Sequence, residues 1–231
     1  MIPEIRIEDY NYPLPDERIA KYPLSERDAS KLLIYKEGEV SHTSFRNITD
    51  ILPGNSLMVF NDTKVVPARL HFQRESGAHI EIFCLEPVLP EEYVTIFSVT
   101  DTCRWKCIVG NVKRWKGDTL SIYNPLNDPD VSEINLRADL VERDGETSVV
   151  EFTWSGNHPF SKVLETVGAI PIPPYLNRET EDIDLSRYQT LYARYRGSVA
   201  APTAGLHFTE TVLNDIRSHG IETQTVCLHV G

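Results

Sequence analysis

Residues 135–154 read NLRADLVERDGETSVVEFTW, two alternating runs on either side of Asp144-Gly145. Alternation of apolar and polar residues marks a half-buried strand. An Asp-Gly pair between two such runs signals a hairpin, because a tight turn needs a positive φ that glycine adopts freely. The spacing therefore predicts strands over residues 135–142 and 148–154. Working back towards the N-terminus, the same signature recurs at residues 119–123, 104–109, 95–99 and 79–85, with Gly110-Asn111 among the turn signals between them. Six strand signals in succession, from about Leu70 to Trp154, predict an all-β unit, either a small barrel or a sandwich.

The flanks follow a different pattern. Upstream, residues 31–35 and 56–60 read as short buried strands, residues 17–22 as one or two helical turns, and residues 45–52 as a short helix ended by Pro53-Gly54. Downstream, Phe160, Val163, Leu164 and Val167 form an i, i+3, i+4, i+7 stripe, with Gly168 where a C-terminal cap belongs. Leu185, Tyr188, Tyr192 and Tyr195 form a second stripe. Thr209 can cap a third helix that runs to His219 and stops at Gly220. Residues 221–230 alternate as a strand whose Val226, Leu228 and Val230 face is expected to be buried, leaving Gly231 at its end. The expected fold class is α/β: a discontinuous α/β domain over 1–69 and 155–231, with an inserted all-β barrel domain over 70–154. Phe160–Val167 is expected to pack with residues 56–60 in the α/β core.

Composition narrows the function. The 231 residues are 41% hydrophobic and 25% charged, with 23 basic and 34 acidic side chains and a net charge of −11. A chain this acidic does not grip nucleic acid with its whole surface, so any such contact must be local. No apolar run is long enough to cross a bilayer. Four cysteines and an N-terminus without an apolar leader predict a reduced, cytoplasmic protein. The sequons at Asn47 and Asn61 then carry no meaning for glycosylation.

Several common sites are excluded. No two glycines stand two positions apart and none precedes a lysine, which removes the dinucleotide fingerprint and the P-loop; G-x-S-x-G and H-E-x-x-H are also missing. Cys103 and Cys107 fall on one strand face with Trp105 and read as core, and no second Cys/His pair has ligand spacing. No metal is expected.

Two segments carry candidate chemistry. Residues 61–70, NDTKVVPARL, follow an apolar strand, so their polar groups emerge where open α/β sheets place ligands. Asp62 could act as a base, Asn61 and Thr63 could bind a ligand, and Arg69 could clamp an anion. An Asx-turn accounts for Asn61 and Asp62 equally well. In residues 198–209, SVAAPTAGLHFT, small residues from Ala200 to Gly205, Thr203 included, permit close approach of a ligand. His207 is the acid/base candidate; the alternative is a tight loop with a surface histidine. Tyr175 and Arg178 in IPIPPYLNR could stack on or clamp a ligand, or the segment could be a rigid linker. Arg187 and Gln189 in RYQTLY lie off the second stripe, where side chains are usually solvated.

These segments together are similar to the signature stretches of the S-adenosylmethionine:tRNA ribosyltransferase-isomerases of queuosine biosynthesis. DYNYPLP, RDASKLLIY and the closing LHVG match as well, so the resemblance runs in order from about Asp9 to Gly231. It implies a barrel-like α/β domain with an inserted β-barrel, in a monomeric family. It implies transfer of the ribosyl part of S-adenosylmethionine, as co-substrate, to 7-aminomethyl-7-deazaguanine in tRNA, giving epoxyqueuosine with loss of adenine and methionine. His207 and Asp62 are then the candidates for proton transfer, and Arg69 and Arg178 for a carboxylate or phosphate. Family members continue past HVG with a G-T-F segment. The resemblance therefore implies a C-terminally truncated chain, a fragment or a natural short form, expected to be inactive alone and either to associate through an uncovered strand edge or to be poorly soluble. A catalytically inactive tRNA- or nucleoside-binding fragment is the alternative.

One stretch runs against the overall charge. Residues 103–117, CRWKCIVGNVKRWKG, hold five basic residues and no acidic one. Alternation turns Arg104 and Lys106 outward, and Lys113, Arg114 and Lys116 extend the patch. They are the expected tRNA contacts, unless they only protect a strand edge with charge.

Overall fold

The computed structural model describes residues 5–230; Gly231, named above as the end of a strand, lies outside them. The chain opens with 3₁₀ turns at Ile7–Tyr10, Asp16–Arg18 and Arg27–Ala29. An antiparallel hairpin follows, β1 (Lys31–Lys36) and β2 (Glu39–Ser44), turning at Glu37 and Gly38, both of positive φ. The expectation that β1 is buried is wrong. Leu33 and Tyr35 are exposed, because the hairpin belongs to no larger sheet and packs by one face against the 3₁₀ helix Phe45–Asp50. Then come β3 (Leu57–Asn61) and β4 (Thr63–Val65).

The next six strands close into an antiparallel barrel. They are β5 (Arg69–Gln73), β6 (His79–Leu89), β7 (Thr102–Gly110), β8 (Leu120–Ile122), β9 (Arg137–Asp144) and β10 (Thr147–Thr153), in spatial order β5-β6-β7-β10-β9-β8, with β8 returning to β5. Asp144 pairs with Thr147, so the hairpin loop is Gly145-Glu146, with Gly145 supplying the positive φ. Period-two alternation builds the interior: Cys103, Trp105 and Cys107 of β7 face in beside Val150 and Phe152 of β10. Burial pushes the Cys103 and Cys107 thiols up, which makes them poor nucleophiles.

Residues 95–99 are not a strand. Helix α1 (Tyr93–Ile96) occupies this stretch, because Ile96 and Phe97 are adjacent and both buried, which a half-buried strand does not allow. The sixth strand is β5, drawn from the end of NDTKVVPARL. Helix α2 (Pro129–Ile134), capped by Asp128 and ended at a left-handed Asn135, delays β9 by two residues.

Helix α3 (Phe160–Val167) packs on the barrel and not with β3. Phe160 is fully buried, with its ring 5.9 Å from Trp105, 5.8 Å from Phe152 and 5.2 Å from Trp154. Phe60 belongs to a separate cluster with Phe45, Phe208, Val212, Leu213, Ile216 and Ile221. Gly168 ends α3 in extended backbone, not as a left-handed cap; a Cβ there would lie 1.9 Å from the Pro67 carbonyl oxygen. It begins β11 (Gly168–Ala169), which adds to β5.

The second predicted helix is short. Helix α4 (Asp182–Arg187) ends before Tyr188, and Tyr195 lies in β12 (Tyr195–Ser198), parallel to β4. The tyrosine stripe dissolves because Tyr192 turns instead to Phe60 and Phe208. Helix α5 (Glu210–Ser218) is capped by the Thr209 hydroxyl, which accepts from the Val212 amide. Its Val212, Leu213 and Ile216 cover β3, which pairs in parallel with β13 (Glu222–Val226). Val226, Leu228 and Val230 are exposed, contrary to expectation: β13 has one strand neighbour, and α5 covers its Ile221 end only.

Candidate functional site

His207, Tyr175 and Thr203 meet in one groove of about 490 Å³, which Tyr22, Arg27, Lys31, Arg187 and Tyr188 also line. Three distant pieces of chain form it, and Arg27 ties them together. Its guanidinium donates to the carbonyls of Gln189 (2.8 Å), Leu206 (3.1 Å) and Ser186 (2.6 Å). Burial, with Arg187 nearby, lowers the Arg27 pKa from its ordinary value. Nδ1 of His207 lies 3.4 Å from the Arg27 carbonyl and its ring stands 5.4 Å from Phe45, which fixes the imidazole at the groove wall. Arg187 donates to the carbonyls of Leu24 and Ser25.

Gly205 is required where it stands: a Cβ there would lie 2.3 Å from the Tyr192 hydroxyl oxygen. Its backbone is buried, so it shapes the 3₁₀ turn Thr203–His207 and does not itself line the groove. Burial pushes the Tyr192 hydroxyl up to about 12, so it stays protonated near neutral pH.

Four other candidates have structural partners. Arg178 grips Asp184 with two 2.8 Å bonds and donates to the carbonyls of Lys21 and Glu179, which leaves no fork for an anion. The pair is buried, and Arg178 holds the Asp184 carboxyl below its usual range. Gln189 clamps the backbone of Val65 through both amide atoms, at 3.0 and 2.7 Å, and is not merely solvated. Asn61 bonds both backbone groups of Leu228, and Thr63 donates to the Leu228 carbonyl. Gln189 and Thr63 thus pin β4, and Asn61 the end of β3, to neighbouring segments.

Asp62 does not line the groove. It is buried, its backbone carbonyl accepts from the amides of Arg194 and Tyr195, and its Oδ1 has no partner. Arg69 donates to Glu81 at 3.0 Å and lies over Phe83; it lines a separate cavity of about 520 Å³ with Arg178. Among the described residues no group of three or more His, Cys, Asp or Glu side chains is placed to hold a metal ion.

The basic patch divides in two. Arg104 bonds Glu151 of the neighbouring strand β10 at 2.7 Å, and Lys106 lies 3.9 Å from Glu86 of β6, so both charges have counter-charges within the sheet. Lys113, Arg114 and Lys116 are exposed, on a loop anchored by buried Trp115. Arg74 donates to the Arg114 carbonyl, and Arg143 to those of Val112 and Trp115. These two arginines hold the loop; Arg74 is itself paired with Asp118 at 2.8 Å, so of the two it is Arg143 that adds to the positive charge.

Tyr22, Arg27 and Lys31 carry no sequence signal of a role, Tyr188 reads only as a member of the second stripe, and Arg187 only as a residue off it. Arg27 and Lys31 stand in RDASKLLIY, but nothing in that stretch shows that its partners lie about 160 residues away.

A family model described as a queuosine biosynthesis protein matches residues 7–231. The chain is 40% identical over 228 residues to the S-adenosylmethionine:tRNA ribosyltransferase-isomerase of Trichlorobacter lovleyi, covering 97% of this chain and 60% of that protein. It is 39% identical over 230 residues to the protein of the same name from Geobacter metallireducens, covering 98% of this chain and 61% of that one. A crystal structure of an S-adenosylmethionine tRNA ribosyltransferase from Thermotoga maritima is 26% identical, with a TM-score of 0.35, covering 96% of this chain and 58% of that one. The chain thus spans about 60% of the length of the curated relatives it matches.

Proposed function

The chain belongs to the queuosine biosynthesis protein family, and from that premise we propose that it acts as a ribosyltransferase-isomerase on S-adenosylmethionine and tRNA. The ribosyl group passes to 7-aminomethyl-7-deazaguanine in the tRNA, adenine and methionine leave, and the sugar rearranges to the epoxycyclopentane of epoxyqueuosine. The observation that carries this reading is the make-up of the His207 groove. S-adenosylmethionine presents a flat base, a sulfonium and a carboxylate. Tyr22, Tyr175 and Tyr188 supply aromatic surface for the base, and Lys31 and Arg187 supply positive charge for the carboxylate.

In this reading His207 assists departure of adenine by donating a proton or hydrogen bond to the ring. Asp62, Asn61, Thr63, Gln189 and Arg178 act as positioning residues, since each is buried or bonded within the protein. The loop of Lys113, Arg114 and Lys116 takes the phosphates of tRNA. Neutralising phosphates with side-chain cations releases counterions and makes binding salt-dependent.

We further read residues 70–154 as an inserted barrel domain, with α3 as a plug contributed by the flanking α/β domain. The test of function is release of adenine from S-adenosylmethionine, measured with and without tRNA carrying the aminomethyl base. Release that depends on the tRNA is expected. Binding of both substrates with no release would leave a binding protein of the same fold.

A further inference from the structure

A second concavity, of about 670 Å³, opens where α1 of the barrel faces β12 and the segment after β13; Phe97, Arg194, Tyr195, Arg196, Cys227 and His229 are among its walls. His229 is fixed there in ring plane and in tautomer. Its ring stacks on Tyr93 at 4.4 Å, the two planes 8° apart. Its Nδ1 lies 2.9 Å from the Gly197 carbonyl oxygen. A carbonyl only accepts, so Nδ1 carries the proton and Nε2 of the neutral ring is left as an acceptor. Only glycine permits this contact, since a Cβ at position 197 would lie 2.0 Å from Nδ1. Nε2 faces the exposed side, 4.0 Å from the Cys227 sulfur.

We propose that this cleft seats the acceptor nucleobase, and that His229 Nε2 takes the proton its aminomethyl nitrogen must lose before it can attack; this rests on the function proposed above. One N–H bond of the ammonium breaks and its electron pair stays on nitrogen as the nucleophilic lone pair. The proton passes to Nε2, giving an imidazolium whose Nδ1–H keeps its bond to Gly197. Arg194 stands on the same wall and forms no ion pair among the described residues; its positive charge disfavours the ammonium and the imidazolium alike, so the fixed tautomer of His229 carries the assignment. Arg196 is neutralised by Glu165. Burial, with Glu86 nearby, pushes the Tyr93 hydroxyl up, so Tyr93 stays neutral. Tyr195 and Cys227 are the remaining titratable groups on the cleft wall. One strand relates the two sites: β4 pairs with β12 of the cleft wall, and its Val65 is held by Gln189, whose carbonyl accepts from Arg27 of the His207 groove.

The experiment has two arms. In the first, the ¹⁵N resonance of His229 Nε2 is followed while free 7-aminomethyl-7-deazaguanine is added, which reads the site without turnover. A shift is expected, and an unshifted resonance overturns the site even if the protein releases adenine. In the second, His229→Asn keeps a donor for the Gly197 carbonyl and removes the basic Nε2. Adenine release should fall about a hundredfold with affinity for S-adenosylmethionine unchanged, and should recover as rising pH frees the amine in solution. A variant that keeps the wild-type acidic limb overturns the assignment of Nε2 as base. A wild-type protein that shifts the resonance but releases no adenine supports the site and fails the activity reading.

Discussion

The barrel and its flanks are held together by different forces. The barrel with α3 gathers 26 buried apolar residues into one cluster, whereas the flank cluster around Phe60 and Phe208 has seven. What the flank lacks in apolar core it replaces with directed polar bonds: Arg27 to three carbonyls, Arg178 to Asp184, Gln189 to Val65, and Asn61 to Leu228. Apolar burial is non-directional and tolerates exchange among side chains of similar volume. Bonds to backbone carbonyls fix position, which is what a site needs from its support. The region with the weaker core is therefore the one that holds the His207 groove in shape.

The largest effect should come from the barrel plug. Phe160→Ala removes a fully buried ring that touches Trp105, Phe152 and Trp154, and such a change costs about 3–5 kcal/mol. Urea melts read by tryptophan fluorescence should show it, since Trp105 and Trp154 flank the plug. A loss under about 1 kcal/mol would mean that α3 is not part of the barrel core.

Next is the Arg178–Asp184 pair. Asp184→Asn leaves a buried guanidinium without its counter-charge and should cost about 3 kcal/mol. The pH dependence follows from the lowered Asp184 pKa. The pair's stabilisation is present above the carboxyl's unfolded pKa and is lost as pH falls through its lower folded value. Stability of the wild type should therefore drop on acidification more steeply than that of the variant; parallel curves would show that the pair contributes nothing. A smaller effect, about 1 kcal/mol, is expected for Thr209→Ala, which removes the cap of α5. Calorimetry should detect it, and a Thr209→Ser control should keep most of the wild-type value.

What the sequence revealed divides along the same line. The barrel was legible because alternation and turn residues are local signals: β7, β9 and β10 lie within a few residues of their predicted bounds. The strand expected at residues 95–99 failed because an isolated short apolar run fits a helical turn as well as a strand. The groove was legible only in part. His207 stood out in a loop of small residues, but the arginine that holds it is about 180 residues away, and no local pattern encodes that contact. Arg178 was misread for the same reason: a basic residue after a proline-rich strip looks free until Asp184 folds back on it. His229 was passed over because its tautomer depends on Gly197 and its ring plane on Tyr93, both distant in sequence.

The proposed function divides the labour, with chemistry in the His207 groove and RNA held by the barrel loop. Steady-state kinetics of tRNA-dependent adenine release test it most directly, comparing His207→Ala with the triple variant Lys113→Ala, Arg114→Ala, Lys116→Ala in the natural gene product. His207→Ala should lower kcat by about a hundredfold or more while KM for tRNA stays near the wild-type value. The triple variant should raise KM for tRNA and flatten its salt dependence with kcat retained. If both variants change the same parameter, or if the triple variant leaves the salt dependence of KM unchanged, the division of labour is wrong.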